Sequence, residues 1–503
     1  MGCNDQLCMY VYMLFLFKLL KSNLVSVMSL PNGFNNSHEY FREAVDFLKQ
    51  NSWIYREANT MFLKNGILNE MPQEYKDYFA EVQHEELNQF PYVHQSLDAQ
   101  KTPTTIITFR QKLAKLIPEE AYQEPKYIEK QNAKPDNLKK MNIKKQHEIQ
   151  RLASVIRNVL KLKEYEGDNV HEEKCVLIDF GSGLGYLSEL LYKLNENLLI
   201  LGLEADTYRV EAAEKRVKAY MPTGCNAIQY CQQFITENSK EFIVVAVEEL
   251  LKLNYHHTLA EQQQQQQQIT TKMAIIGLHA CADLTITSMK LFFQLLQVQY
   301  LIIMPCCYHK LQIIDDCSVC KTNAAAVTAE LKFRNFPISE CLKKVLLANE
   351  SDKSNYGSKE NDTGNYTTYL NRPFLRLACQ QTLKRWSRCS PHAHCAHGCE
   401  MFLRAVAESL KPEKGHTELM IVKRKEEKID FNSLTMEQRN AFDTFSSLYA
   451  LKSKETNDFI AWTDSHRKMF EDIIEKYSNG CKLTEGLTCL QTSMQVMVFH
   501  CPN

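Results

Sequence analysis

The sequence predicts an α/β fold built on a Rossmann-like parallel sheet, and three observations carry that expectation. Two apolar runs of strand length, Cys175 to Ile178 and Leu198 to Leu203, flank a stretch in which Leu187, Leu190, Leu191 and Leu194 recur at helical spacing. Between the first run and that helix stand Gly181, Ser182, Gly183, Leu184 and Gly185, a turn too rich in glycine to be crowded by side chains. Glu204 closes the second run, where an acidic side chain at a strand tip can accept hydrogen bonds from both hydroxyls of a ribose.

The glycine spacing narrows the ligand. Dinucleotide folds use G-x-G-x-x-G, whereas here the third glycine comes one residue early and the carboxylate of Asp179 stands just ahead of the first. A carboxylate there repels a pyrophosphate but suits the sulfonium and amino group of S-adenosylmethionine (SAM). The backbone N–H groups and positive dipole end of the following helix complete a nucleotide-type pocket. The expected cofactor set is Asp179, Gly181, Ser182, Gly183, Gly185 and Glu204, joined by Glu237 at the tip of a third strand. An NAD-dependent oxidoreductase is disfavoured by the same spacing.

Taken in order, the chain opens with an apolar run, Met9 to Leu20, interrupted by Lys18 and too short to span a bilayer. Residues 1–28 are therefore expected as an unstructured extension or a mis-chosen start, with Met28 as the alternative, and no stable membrane insertion is expected. Residues 29–125 read as a helical region whose Phe41, Phe47, Trp53, Phe62, Tyr75, Tyr78 and Phe79 supply a core. Residues 126–145 are polar and Lys-rich, a linker, and lead into an amphipathic helix with Ile149, Leu152, Ile156 and Leu160 on one face. The α/β core spans 146–348. Within it Ala227 to Ile235 and Phe242 to Val247 compete as the third strand, the glutamines 262–268 form a solvated loop, and Met273 to Leu278 and Tyr300 to Met304 are further strands. Residues 349–369 are polar enough to be a disordered insertion, and 370–503 read as mostly helical.

Composition sets the outer limits. Lys and Arg number 59 against 60 Asp and Glu, so no general basic field marks a nucleic-acid binder; DNA is not an expected partner, and RNA would need a local patch. The 18 cysteines are irregularly spaced, with Cys306 and Cys307 adjacent, which reads as free thiols in a reducing, intracellular compartment, cytoplasmic or nuclear. Cys317 and Cys320 have C-x-x-C spacing, and residues 389–399 crowd three cysteines and three histidines. Neither offers two properly separated ligand pairs, so no metal site is expected.

Ligands of open α/β sheets bind outside the carboxyl ends of the strands. Topology therefore gathers Glu204, the segment His279-Ala-Cys281-Ala-Asp283 and the segment Pro305-Cys306-Cys307-Tyr308-His309-Lys310 around one crevice. His279 and Asp283 are candidates to take a proton from an acceptor, with Tyr308 and His309 as competitors. A nucleophilic Cys306 is a further, weaker alternative.

The segments IKKQHEI, LIDFGSGLGYLS, LGLEAD, GLHACADLT, PCCYHKL, FPIS and RLACQ resemble, in order and content, the successive motifs of the methyltransferase-like protein 25 and 25B group. The resemblance covers roughly residues 140 to 410 in pieces. A weaker likeness, through His-x-Cys and Cys-Cys-His motifs, extends to a transfer-RNA 2′-O-methyltransferase family. What this implies is a class I SAM-dependent methyltransferase sheet with Asp179, Gly181, Gly183, Gly185 and Glu204 at the cofactor positions; it does not define a substrate, and the preference for RNA as acceptor comes from the resemblance alone. A catalytically inactive protein that keeps the fold as a binding scaffold is the alternative. Two departures stand out. Ala282 replaces the group's usual glycine, and the terminal strand hairpin that closes the sheet of its relatives is expected to be missing.

Overall fold

The computed structural model describes residues 15–18, 30–117, 141–162, 175–255, 271–314, 333–351, 366–379, 383–411, 419–424 and 434–500. The linker from 126 to 140, the glutamine run 262–268, Cys317, Cys320 and residues 352–365 lie outside that set. The chain divides into two compact units. One is built around 123–314 with 333–336 and the first 27 residues; the other holds 28–122 and 337–503, with 315–332 assigned to it.

The first unit is a six-stranded sheet. In chain order its strands are β1 (Phe15–Lys18), β2 (Cys175–Phe180), β3 (Leu198–Glu204), β4 (Ile228–Gln232), β5 (Lys272–Leu278) and β6 (Tyr300–Met304), laid side by side as β1-β6-β5-β2-β3-β4. Strands β2 to β6 run parallel. Every residue of β2 and β3 is buried, as expected when helices cover both faces of a parallel sheet. The strand order turns back between β2 and β5, which opens a crevice at their carboxyl ends. This is the Rossmann-like arrangement the sequence predicts.

The competition for the third strand is settled by periodicity. Residues Lys240–Tyr255 form a helix, and Ile243, Ala246, Val247 and Leu250 are its buried positions. That i, i+3, i+4, i+7 spacing gives a β-rich composition one apolar helical stripe, and burial of the stripe overrides strand propensity.

The expected edge of the sheet needs correcting. Phe15–Lys18 is not part of an unstructured extension: it pairs antiparallel with β6, Phe15 opposite Ile303 and Lys18 opposite Tyr300. An antiparallel edge strand, Phe15–Lys18, is thus present among the described residues. Backbone pairing satisfies the open N–H and C=O groups of β6, and side-chain pattern carries no trace of such pairing.

The second unit is helical around a small antiparallel sheet, β7 (Leu419–Lys423), β8 (Tyr449–Ser453) and β9 (Phe459–Ile460), in which β8 and β9 escaped the sequence reading. The long helices Pro391–Ser409 and Gly480–His500 pack on each other, and Gly398 and Gly486 permit close approach to Glu485 and Phe79 respectively. Phe41, Phe47, Phe62, Tyr75, Tyr78 and Phe79 are buried there as core. Among the described residues no helix is long and apolar enough to cross a membrane.

Candidate active site

The glycine turn follows β2 directly and is stitched to the end of β3. The N–H groups of Gly181 and Ser182 both donate to Leu203 O, at 2.8 and 3.1 Å. Gly181, Gly183 and Gly185 all have positive φ, at 70°, 58° and 75°. Glycine is required at the last of them for space as well, because a Cβ on Gly185 would run into the Tyr230 ring and come within 3.2 Å of Ala213. Tyr230, on β4, also packs against Gly202 of β3 and so fills the floor beneath the turn. At Gly183 the opposite holds: a Cβ there would find nothing nearer than Gly181 O at 4.0 Å.

Glu204 is the keystone of this turn. Its Oε2 accepts the Gly183 N–H at 2.9 Å, while Oε1 accepts the N–H groups of Ala205 and Asp206 at 3.0 and 3.1 Å. Arg209 Nη1 lies 3.9 Å from the same carboxylate. Three amides thus orient an ionised acceptor that has about four lone-pair sites, which leaves capacity for a ligand hydroxyl.

Asp179 is buried, 1% exposed, and its Oδ2 accepts a hydrogen bond from Ser188 Oγ at 2.9 Å. Burial, with a smaller push from the charge of Glu204, raises its pKa to about 7 against the lowering effect of Ser188. Ser182 Oγ is buried and has no hydrogen-bond partner among the described residues. An open backbone arc, an orphaned hydroxyl and two carboxylates, Asp179 within β2 and Glu204 at the end of β3, make a set of polar groups whose chemistry fits an adenosyl amino acid.

Across the crevice, β5 and β6 end in register, Leu278 opposite Met304, and His279 N–H donates to Met304 O at 3.0 Å. That pairing brings together groups far apart in sequence. His279 Nδ1 is 3.3 Å from Cys306 Sγ, and Cys281 Sγ is 3.0 Å from the same sulfur. The N–H of Cys306 donates to Cys281 Sγ at 3.1 Å, and Cys307 Sγ lies 3.4 Å from Cys306 Sγ. The far ring nitrogen of His279, Nε2, meets Glu148 Oε2 at 3.1 Å. Hydrogen bonding, to Cys281 first and then Glu148, holds His279 up at about 9. The Cys281 thiol is pulled down to about 4, first by its contact with Cys306, whose own thiol is pushed up.

The structure distributes the expected proton-handling residues unevenly. Both ring nitrogens of His279 are engaged in this cluster. Asp283 spends its carboxylate as a clasp: Oδ2 accepts Gln312 N–H and Oδ1 accepts Asn335 Nδ2, each at 2.8 Å. Tyr308 and His309 occupy the short helical turn Tyr308–Lys310 just beyond β6, partly buried. Glu237 forms an exposed ion pair with Lys290 at 2.7 Å. Cys281, Ser188 and Tyr230 escaped the sequence reading as site residues, although Cys281 stands in a segment the strand-end rule had marked.

In the dense Cys/His segment 389–399, His394 and Cys399 are buried while His392 and His397 are exposed. His394 stacks on Trp386 with ring centroids 3.6 Å apart, and Arg439 Nη1 lies 3.8 Å from both Cys395 Sγ and Cys399 Sγ.

Sheet order, glycine turn and acidic strand tip together define a Rossmann-like domain with its crevice at the carboxyl ends of the strands. Residues 144–313 match a family model described as a methyltransferase domain, which supports a methyltransferase enzyme and SAM as its methyl donor. No curated protein and no solved structure shows a significant match to the chain.

Proposed function

We propose that the first unit binds SAM along the glycine turn and transfers its methyl group to a nucleophile brought to the ends of β5 and β6. The observation that carries this reading is the Gly183–Glu204 hydrogen bond, which locks an acidic strand tip onto a backbone arc open to solvent at Gly183. When bound, the cofactor supplies an activated methyl group; the chain's task is to bind, orient and exclude water. Glu204 accepts the ribose hydroxyls, Ser182 Oγ gains the partner it lacks, and Asp179, as a carboxylate, faces the positive end. Tyr308 and His309 are the groups we assign to handling the acceptor's proton, from their place on the partly buried turn that follows β6 at the carboxyl end of the sheet.

The acceptor we propose is RNA. Support comes from the motif resemblance and from a local gathering of cations beside the turn, where Lys145 and Arg216 lie over the Tyr186 ring and Arg209 neighbours Glu204. Calorimetry should detect SAM binding to the full chain, and Gly183→Arg, which fills the arc, should weaken it at least ~100-fold, more than one lost hydrogen bond would. Binding of NAD as tight as that of SAM would overturn the cofactor reading. For the acceptor, labelled-methyl transfer into fractionated RNA and protein from cells lacking this gene should mark RNA; label confined to protein would reject it.

A further inference from the structure

We propose that His279 Nδ1, Cys281 Sγ and Cys306 Sγ form a binding site for a soft divalent metal ion of the zinc class, with a fourth coordination position left open. The three donor atoms all lie within 4.8 Å of one another. Zinc bonds of about 2.3 Å to sulfur and 2.0–2.1 Å to nitrogen place tetrahedral donors roughly 3.5–3.8 Å apart. His279 Nδ1 and Cys306 Sγ, at 3.3 Å, are nearly there, and the two sulfurs, at 3.0 Å, must separate by about 0.8 Å.

Three further features single this cluster out. Glu148, only 4% exposed, holds His279 through Nε2, so the other ring nitrogen is turned to the sulfurs. A carboxylate behind a histidine in this way is the usual outer shell of a zinc ligand. The connecting loop is bent against its own preferences: His279 and Ala282 have φ of 63° and 55°, a region that side chains other than glycine seldom enter. Strain of that kind persists where surrounding interactions over-determine it, and ligation by residues 279 and 281 supplies such an interaction. Finally, a backbone N–H from Cys306 already points at Cys281 Sγ, the contact a bound thiolate would keep.

The charges balance. Binding releases protons from the cluster as a whole, and the two thiolates and neutral imidazole that result neutralise a divalent ion. Three protein ligands with an open position is the pattern of catalytic rather than structural zinc, and the open position takes water, an anionic oxygen or a thiolate. The other possible donor group, His84, Cys395 and Glu485, is a poorer host: His84 is paired with Glu485 at 2.9 Å and the Arg439 guanidinium lies against Cys395.

The test uses the full chain, reconstituted with zinc chloride and desalted. Elemental analysis should find about one zinc per chain assigned to this site, and the Cys281→Ser/Cys306→Ser double variant should lose it while keeping its circular dichroism. Cobalt in place of zinc should give thiolate-to-cobalt charge-transfer absorption that the double variant lacks. Should that variant fail to fold, Glu148→Gln decides, because it spares the ligands. Chelator competition should show zinc held about 10- to 100-fold more weakly. Gly183→Arg should retain its zinc, which separates this inference from the cofactor reading. Folded chain that takes up no zinc, undiminished zinc in the folded double variant, unchanged affinity in Glu148→Gln, or a Cys281–Cys306 disulfide in the native protein would each overturn it.

Discussion

On the proposed cofactor reading, Asp179 is placed for a ligand at some cost to the stability of the ligand-free protein. Folding moves it from a free-carboxylate value of 3.8 to about 7, chiefly by burial. The neutral form is the one the fold prefers, so this group's contribution is fully present below about pH 4 and is lost as pH rises through about 7. Asp179→Asn, neutral at every pH, should therefore raise the melting temperature at about pH 8 and change it little at about pH 4. The same variant should bind SAM more weakly, and the parent's affinity should climb as pH rises through about 7, because a cation favours the ionised carboxylate. Calorimetry at several pH values measures this; a flat affinity profile would remove Asp179 from the cofactor site. Spacing alone located this residue, ahead of three glycines. Nothing in the sequence revealed the Ser188 hydroxyl that binds it nine residues on, since that contact depends on the helix Tyr186–Leu194 turning Ser188 back over β2.

At the scale of elements, the loop between β5 and the helix Asp283–Gln294 is the informative one. Ala282 replaces a glycine usual in the resembling group, and the structure puts it at φ 55° and ψ −131°, a region in which glycine pays no steric penalty. Ala282→Gly should therefore stabilise the chain by about 1–2 kcal/mol, relief of strain outweighing the added freedom of the unfolded chain. Urea unfolding of both proteins at matched metal content checks this, and a loss of stability would show that the turn is unstrained. The helix Lys240–Tyr255 is a second lesson in elements. Its composition suits a strand, and only the spacing of the four residues it buries identifies the face that meets the sheet.

The whole molecule is two units of different build: a parallel sheet carrying the crevice, and a helical unit in which His394, Cys399, Cys481 and Cys489 are buried. The sheet is closed on one side by β1, which stands as an antiparallel neighbour of β6. Removing residues 1–27 would leave the backbone groups of Tyr300–Ile303 unpaired along that edge. The shortened chain should melt earlier and associate in a concentration-dependent way, visible by light scattering. Because β6 leads straight into Cys306, its SAM affinity or zinc content should fall too. Unchanged melting and a monodisperse solution would show that the edge pairing contributes nothing to stability.

Local spacing was enough to read the β2 strand, its glycine turn, the helix that follows and the acid at the tip of β3. All of these lie within about thirty residues, where periodicity of 2 or 3.6 and the steric freedom of glycine act directly. The strand-end rule also pointed correctly to the HACAD and CCYHK segments, because parallel strands deliver their carboxyl ends to one side. What only the tertiary structure decided is which of those groups touch. Residues 279 and 306 meet because β5 and β6 pair in one register, Glu148 reaches them from another helix, and Asp283 is drawn off to Gln312 and Asn335. Contacts of that kind depend on packing between elements distant in sequence, and a single chain of letters records the elements but not their pairing.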